Sequence, residues 1–585
     1  MDYVWKISGE QGEGIDSTGH IFASNVFKNG FEISTYRKYS SRIKGGNTTF
    51  EVRFSDKPVF SRLKKVDVLI AFDDESIRVS KEQIKPHTFV IFDEQSNILD
   101  LHETPSVKLP IPLSKIAKDI TGSVISKNMV ALGASIALFE NMDYSFVINQ
   151  IEKRFSKKSM EIVEKNKKAF WEGYNITRNF LSSNSLKPLK VDIAFNRDGK
   201  KRMLMSGNEG LALGALAAGC KYFAGYPITP ASSILEFMVK NIGNFGGVAV
   251  QTEDEISAIN SCVGASLAGV RSMTATSGPG FSLMVEAIGY AYMTETPVVI
   301  ANIQRGGPST GLPTKTEDGD ILLSTFVGHG DTEKIVIFPS DPYEMFVYTF
   351  EAFNMAERYQ LPVIILSDLN LGENIYTTNY ISDTLIDSLR VDRGKYINFE
   401  VDKKLNRYEI TEDGISYRIV PSVKGLQFQT SGNEHNEKGF ITENSDIRKK
   451  MVEKRMRKLS KFNEYFLEFE DIGYNPKISI VAYGMNYHSV KEVCFELNKN
   501  EGYSFRLIKP VVFYPFPIKQ IEEAVANTDN LVFIEQNYFG QFRRLYYMFG
   551  GKKESLLLNK YDGEPFFFED LYEQLRELVN RYSKV

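Results

Sequence analysis

The chain has 585 residues, too many for one hydrophobic core, and a length of this order implies roughly three or four domains. Hydrophobic residues make up 42% and charged residues 25%, as in an ordinary globular protein, and a net charge of -4 gives no electrostatic reason to expect nucleic acid or an anionic membrane as partner. The three cysteines, Cys220, Cys262 and Cys494, lie far apart, which excludes a CxxC set for an iron–sulfur cluster or structural zinc and makes a disulfide framework unexpected.

In chain order, the N-terminus (Met1-Asp2-Tyr3-Val4-Trp5-Lys6) lacks the basic-then-apolar layout of a secretory signal. No apolar run reaches the ~18–20 residues of a membrane span, so a cytoplasmic protein is expected. A strand at Val4–Ile7, a glycine-rich turn at Gly9–Gly14 (GEQGEG) and a helix from about Ser17 open an α/β unit. Val66–Phe72 and Thr88–Phe92 read as buried parallel strands, closed by Asp73 and Asp93. This places a first domain at 1–185, and the polar, proline-interrupted stretch 186–200 is a linker. A second α/β domain, 201–373, has predicted strands at Tyr222–Ala224, Gly247–Gln251, Met273–Thr276, Val298–Gln304 and Val363–Asp368, with small-residue helices at Leu211–Gly219 and Ile256–Ala268 between them. Residues 374–470 form an irregular connecting segment whose basic stretch, Arg448–Lys461, reads as a solvated helix. A third α/β domain, 471–585, has strands at Lys477–Tyr483, Ser504–Leu507 and Leu531–Glu535 and a closing helix at Glu569–Tyr582. No internal repeat or low-complexity tract is present.

Four segments carry the chemistry. In Gly225–Pro230 (GYPITP), two prolines three apart fit neither a helix interior nor a central strand, so the segment is a rigid loop after a strand, where open α/β sheets place ligands. Gln251–Glu255 (QTEDE) sets three acids at a helix start, a place that capping residues also favour. Thr274–Gly280 (TATSGPG) reads as a strand running into a tight glycine-proline turn that lets backbone approach a ligand. Gln304–Lys315 (QRGGPSTGLPTK) opens with Arg305 at a strand end, where a guanidinium can bind a carboxylate bidentately; taken alone, such an arginine is as readily a surface ion pair.

The string GYPITPASS resembles the YPITP signature of the 2-oxoacid:ferredoxin oxidoreductases, and the other segments follow the pattern of their alpha subunit, of the 2-oxoglutarate type with a gamma domain fused at the N-terminus. The resemblance implies three α/β domains: gamma-type, thiamine diphosphate pyrimidine-binding, and transketolase C-terminal-like. It also implies the site. Tyr226, Pro227, Ile228 and Thr229 wall the cofactor, with Ser277 and Gly278 over the pyrimidine. Glu255, with Glu253 as the alternative, is the acid at the pyrimidine ring nitrogen. Thr229 and Arg305 meet the substrate, Arg305 through the carboxylate next to the keto group, and Lys315 is matched to a second carboxylate, as 2-oxoglutarate would need. In the first domain, Gly12, Arg42, Lys44, Gly45 and Gly46 are candidates for coenzyme A. Gly9–Gly14 has the spacing G-x-x-G-x-G, not a dinucleotide fingerprint, and taken alone is a turn whose two glutamates would repel phosphate.

Ala482–Asn486 (AYGMN), Lys509–Pro517 and Glu535–Gln541 (EQNYFGQ) resemble the C-terminal-like domain, whose expected role is packing and assembly. No GDG motif for diphosphate and metal is present, and no metal ligand is expected on this chain. A partner beta subunit is therefore implied, carrying the diphosphate, Mg²⁺ and a [4Fe–4S] cluster in an (alpha-beta)2 assembly. The reaction implied is 2-oxoacid, coenzyme A and oxidised ferredoxin giving acyl-coenzyme A, carbon dioxide and reduced ferredoxin. Alternatives are a pyruvate, branched-chain or indolepyruvate enzyme, or a non-catalytic scaffold of the same fold.

Overall fold

A computed structural model describes residues 1–39, 46–96, 101, 104–155, 159–191, 199–400, 405–421 and 423–582. These fall into two compact units. The first comprises Met1–Leu204, Asn374–Asn379 and Phe567–Glu573. Its eight-stranded sheet has the order Val107–Ile111, Ile84–Asp93, Val66–Ala71, Asp2–Glu10, Asn47–Ser55, Glu32–Lys38, Ile375–Asn379, Arg202–Ser206. The two apolar runs are parallel neighbours, as their composition implies, but Asp2–Glu10 pairs antiparallel with Asn47–Ser55, so the sheet is mixed. The two aspartates are structural. Asp73 caps the Asp74–Ser80 helix by accepting from Ser76 N (2.7 Å), and Asp93 accepts from Ser114 N (2.8 Å). Trp5 stacks on Phe22 of the Ile15–Lys28 helix at 4.2 Å in the core.

The second unit holds two large sheets and a small one that pairs Tyr396–Ile397 with Arg418–Ile419. In the seven-stranded one the order is Val248–Gln251, Tyr222–Gly225, Ser272–Thr276, Val298–Gln304, Pro362–Asp368, Ile335–Ile337, Val512–Tyr514, parallel except for the last. From Tyr222–Gly225 the chain first adds a strand on one side and then crosses to the other. The order therefore reverses there, and GYPITP leaves the sheet at its topological switch point. In the five-stranded sheet (Glu468–Ile472, Phe505–Lys509, Ile478–Val481, Asn530–Glu535, Ser555–Asn559) the reversal falls at Ile478–Val481, which runs into AYGMN. The two large sheets share one core, in which Phe338, Tyr483, Phe513 and Phe542 interlock with ring centroids 4.5–5.6 Å apart.

The basic stretch corrects an expectation. Ser445–Met456 is a helix, but its cations are not all solvated: Lys454 and Lys458 are fully buried, with ammonium groups 2.5 and 2.8 Å from the carboxylate of Glu295, and Arg455 is buried against Glu434. Charge run and solvated face part company here because buried carboxylates wait on the other side. A second hub of this kind is Glu357, which meets Arg271, Arg393 and Arg418.

Candidate functional site

The site lies along the carboxyl edge of the seven-stranded sheet. Tyr222–Gly225 delivers the loop, in which Tyr226 and Pro227 are exposed, Ile228 and Thr229 half-buried, and the Thr229–Pro230 peptide is cis. The loop is braced from behind: Asn208 donates to Pro230 O and Ser233 Oγ, both at 2.9 Å. Thr252 N donates to Gly225 O at 3.0 Å, which ties this loop to the segment bearing the three acids.

Those acids separate cleanly. Asp254 caps the Glu255–Leu267 helix by accepting from Ser257 N (2.7 Å), and Glu253 is exposed and meets Ser257 Oγ at 3.3 Å. Glu255 turns inward and is buried. Its carboxylate stands against Gly280, where an added methyl group would overlap both Glu255 Oε1 and Thr276 Oγ1. Ser272–Thr276 does not end in a mere turn: Ser277 caps a short helix, Gly278–Leu283, with Pro279 in its first turn, where its missing N–H costs nothing.

Arg305 follows Val298–Gln304, is 9% exposed, and donates from Nη1 to Thr229 O at 2.6 Å. The structure thus brings Thr229 and Arg305 into contact, with Glu255, Ser277 and Gly278 on the same sheet edge. Lys315 is engaged elsewhere. It pairs with Glu564, each about one-fifth exposed, while its backbone carbonyl accepts from Gly306 N at 2.9 Å.

Sequence reasoning missed Asp320. Its carboxylate accepts from Asn302 Nδ2 (3.1 Å), its N–H donates to Gln304 Oε1 (2.8 Å), and a methyl group at Gly278 would lie 2.7 Å from its Oδ2. Burial raises the Asp320 carboxyl above the ordinary range, against the pull of Asn302 and Arg305. A signal was available in the strand VVIANIQ, where Asn302 and Gln304 are the polar residues and, two apart, share one face. Around this edge Thr274 Oγ1, Ser277 Oγ and Asn302 Oδ1 are buried with no hydrogen-bond partner among the described residues.

The coenzyme A candidates lie in the first unit. Arg42, Lys44 and Gly45 fall outside the described residues. Gly12 and Gly46 are drawn together, since Gln11 N donates to Gly46 O at 3.2 Å. Gly12 has φ +101° and open space where a side chain would be. It borders a cavity of about 650 Å³ that Arg37, Asn128, Arg154 and Lys165 also line. Glu13 is neutralised by Lys127 at 2.6 Å, which removes one of the two glutamates expected to repel phosphate.

The switch-point loop, the inward acid and the strand-end arginine thus share one edge of a mostly parallel α/β sheet, the architecture that comparison with known proteins identifies. Residues 213–454 match the family model "Pyruvate flavodoxin/ferredoxin oxidoreductase, thiamine diP-bdg". Residues 4–176 match "Pyruvate ferredoxin/flavodoxin oxidoreductase", and 477–548 match core domain II of pyruvate:ferredoxin oxidoreductase. The alpha subunit of a 2-oxoacid:ferredoxin oxidoreductase from Sulfolobus sp is 33% identical over 100% of this chain and 98% of its own length. The 2-oxoglutarate synthase subunit KorA of Methanocaldococcus jannaschii is 34% identical over 62% of this chain and 95% of its own. The 2-oxoglutarate:ferredoxin oxidoreductase from Magnetococcus marinus, solved with 2-oxoglutarate, coenzyme A and succinyl-CoA bound, superposes with a TM-score of 0.89 at 32% identity, covering 98% of this chain and 99% of that one. The chain belongs to the 2-oxoacid:ferredoxin oxidoreductases and corresponds to their alpha subunit. It is a subunit of a ferredoxin-dependent oxidoreductase and carries a thiamine diphosphate-binding domain. Among the described residues, no helix is long and apolar enough to cross a membrane, and no group of three or more His, Cys, Asp or Glu is placed to hold a metal ion.

Proposed function

We propose that this chain forms the aminopyrimidine-gripping wall of a thiamine diphosphate site in an enzyme that oxidatively decarboxylates a 2-oxoacid, with 2-oxoglutarate the first choice, to its acyl-coenzyme A. The observation that carries the proposal is the pairing of a buried Glu255 with an Arg305 clamped to Thr229 O on one sheet edge. The residues suit the aminopyrimidine half of the cofactor: a buried carboxylate, glycine backbone at 278 and 280, and the unpartnered Ser277 Oγ and Asn302 Oδ1. Thiamine diphosphate, when bound, supplies the carbon nucleophile and electron sink that the reaction needs.

The chain's own residues do the rest. Glu255 holds a proton at the pyrimidine ring nitrogen. It is buried at the start of the Glu255–Leu267 helix. Tyr226, Pro227 and Ile228 wall the ring, and Thr229, its carbonyl already fixed by Arg305, lies beside the substrate. Arg305 takes the carboxylate adjacent to the keto group, orienting that group and excluding water from it. Ser277 and Gly278 approach the ring through backbone and hydroxyl.

The name of the relatives, subunit alpha of a ferredoxin oxidoreductase, supports a second chain and ferredoxin as electron acceptor; to that chain, a beta subunit, we assign the diphosphate, Mg²⁺ and a [4Fe–4S] cluster, in an (alpha-beta)2 assembly with a cytoplasmic location. We assign coenzyme A to the 650 Å³ cavity of the first unit, which Gly12 borders; Gly46, Arg42, Lys44 and Gly45 are carried from the sequence, the last three from outside the described residues. A domain plan of 1–185, 201–373 and 471–585 accompanies this reading. A monocarboxylic 2-oxoacid is the second reading, because Glu564 already occupies Lys315.

The test is viologen reduction with coenzyme A and a panel of 2-oxoacids, by this chain with and without its beta subunit. Glu255→Ala in the assembled complex is expected to lower kcat by at least ~10²-fold. Full activity of that variant would remove Glu255 from its role, and activity of the chain alone would remove the partner.

A further inference from the structure

The five-stranded sheet supplies none of the site residues described above, yet the helix that follows its strand Asn530–Glu535 holds the segment that carries Asp320. Strand Asn530–Glu535 ends on a buried glutamate that accepts from Phe542 N (2.9 Å), Arg543 N (2.8 Å) and Tyr483 OH (2.9 Å), which pins the start of the Gln541–Met548 helix. Gly540 precedes that helix at φ +61° with Leu557 packed behind it, where a methyl group would lie 2.7 Å from Leu557 Cδ2, so the approach angle is set by a position only glycine fills easily. Asn537 Oδ1 accepts from Gln541 N at 3.0 Å. The Gln541 side chain, 7% exposed, is thereby aimed at the loop beyond Arg305. Its Oε1 accepts from Leu322 N (2.8 Å) and its Nε2 donates to Gly319 O (2.7 Å). A third bond runs from Asp318 N to Gln536 O at 2.9 Å.

That loop needs an outside clamp. Glu317, Asp318 and Asp320 fall within four residues, and burial, then the charges of Asp368 and Glu535 and after them those of Glu317 and Asp320, push the Asp318 carboxyl well above the ordinary range. Three acids so placed disfavour a tight turn, whereas a neutral amide binding both backbone edges holds it without adding charge. Between the two clamped residues stands Asp320, next to Gly278 and fixed on its other side by Asn302 and by Gln304, the residue that precedes Arg305.

We infer that Gln541 is a positioning residue for Arg305: by clamping Gly319 and Leu322 it holds Asp320 against Asn302 and Gln304, and so fixes the strand end from which Arg305 projects. The inference rests on the reading of Arg305 as the group that binds the substrate carboxylate.

The experiment is steady-state viologen reduction by the complex with its beta subunit, comparing wild type, Gln541→Met, Asp320→Ala and the double variant. Methionine keeps the volume and removes both hydrogen bonds. Gln541→Met is expected to raise KM for the 2-oxoacid about tenfold, with kcat within about threefold and KM for coenzyme A unchanged. Because both residues act along one route, the double variant is expected to be no worse than Asp320→Ala alone. An unchanged 2-oxoacid KM, multiplying effects in the double variant, or a fall in kcat and coenzyme A binding alongside thermal stability would each overturn the inference. Should Gln541→Met fail to fold, Gln541→Glu keeps the acceptor for Leu322 N and loses the donor to Gly319 O. An intermediate KM then supports the inference and a wild-type KM overturns it. A wild-type complex that reduces no viologen with any 2-oxoacid would overturn the underlying reading of the site and this inference with it, whereas an active wild type beside an unaffected Gln541→Met overturns the inference alone.

Discussion

Replacing Glu295 by glutamine removes the carboxylate shared by two fully buried ammonium groups, Lys454 at 2.5 Å and Lys458 at 2.8 Å, while Arg407 donates to the Glu295 carbonyl at 2.7 Å. Burial alone would raise the Glu295 carboxyl, but Lys454, Lys458 and Arg407 hold it well below the carboxylate range. Burial also lowers the lysines, Lys454 to about 8 and Lys458 to about 7, from an ordinary 10.5. A lysine lowered on folding leaves the folded chain with fewer protons than the unfolded one between the two values. The stability these lysines contribute therefore rises with pH from about 7 to 10.5. At pH 6.5 both lysines are charged, and Glu295→Gln strands them, which costs about 3–5 kcal/mol. At about 2 °C per kcal/mol for a large unit, the expected fall in Tm is roughly 6–10 °C. At pH 9.5 the lysines shed protons readily and the penalty shrinks to about 1 kcal/mol. Scanning calorimetry of the full chain and the variant at pH 6.5 and 9.5 reads this directly. A fall below about 2 °C at pH 6.5, or one that grows with pH, would refute the reasoning.

Gly280→Ala sets a methyl group against Glu255 Oε1 and Thr276 Oγ1, and the flexible carboxylate is what must move. Viologen reduction is expected to fall at least ~50-fold with Tm within about 4 °C, and half-maximal activity would contradict the placement of Glu255. Asp318→Asn tests the acidic turn. The raised folded value means that stability present under acid conditions is lost as pH rises through the window above the ordinary carboxylate value. The variant is therefore expected to match wild type at pH 5 and to exceed it by about 2–5 °C at pH 9, and equal melting at both values would show that the proton is not held.

The central strands of the seven-stranded sheet were legible because Ser272–Thr276, Val298–Gln304 and Pro362–Asp368 are short runs buried on both faces, and Val298–Gln304 falls where the sequence places it, residue for residue. The loop at Gly225–Pro230 was legible because paired prolines leave few conformations open. The Gln541 clamp was not, since it joins residues 222 apart through side-chain to backbone bonds that leave no periodic trace. The basic helix was misread for a related reason. Lysines at 454 and 458 look like surface residues until Glu295, 159 residues from Lys454, is set against them. Yet a mark of the partner existed. Glu295 is the charged residue in the run Ala291–Val299 (AYMTETPVV), as Asn302 and Gln304 are the polar ones in VVIANIQ. A polar group in such surroundings forfeits hydration on burial and is tolerated only where something meets it. Read this way, an isolated polar residue inside an apolar run announces that a partner exists, even though the identity of that partner, cationic helix or acidic turn, is settled only by the fold.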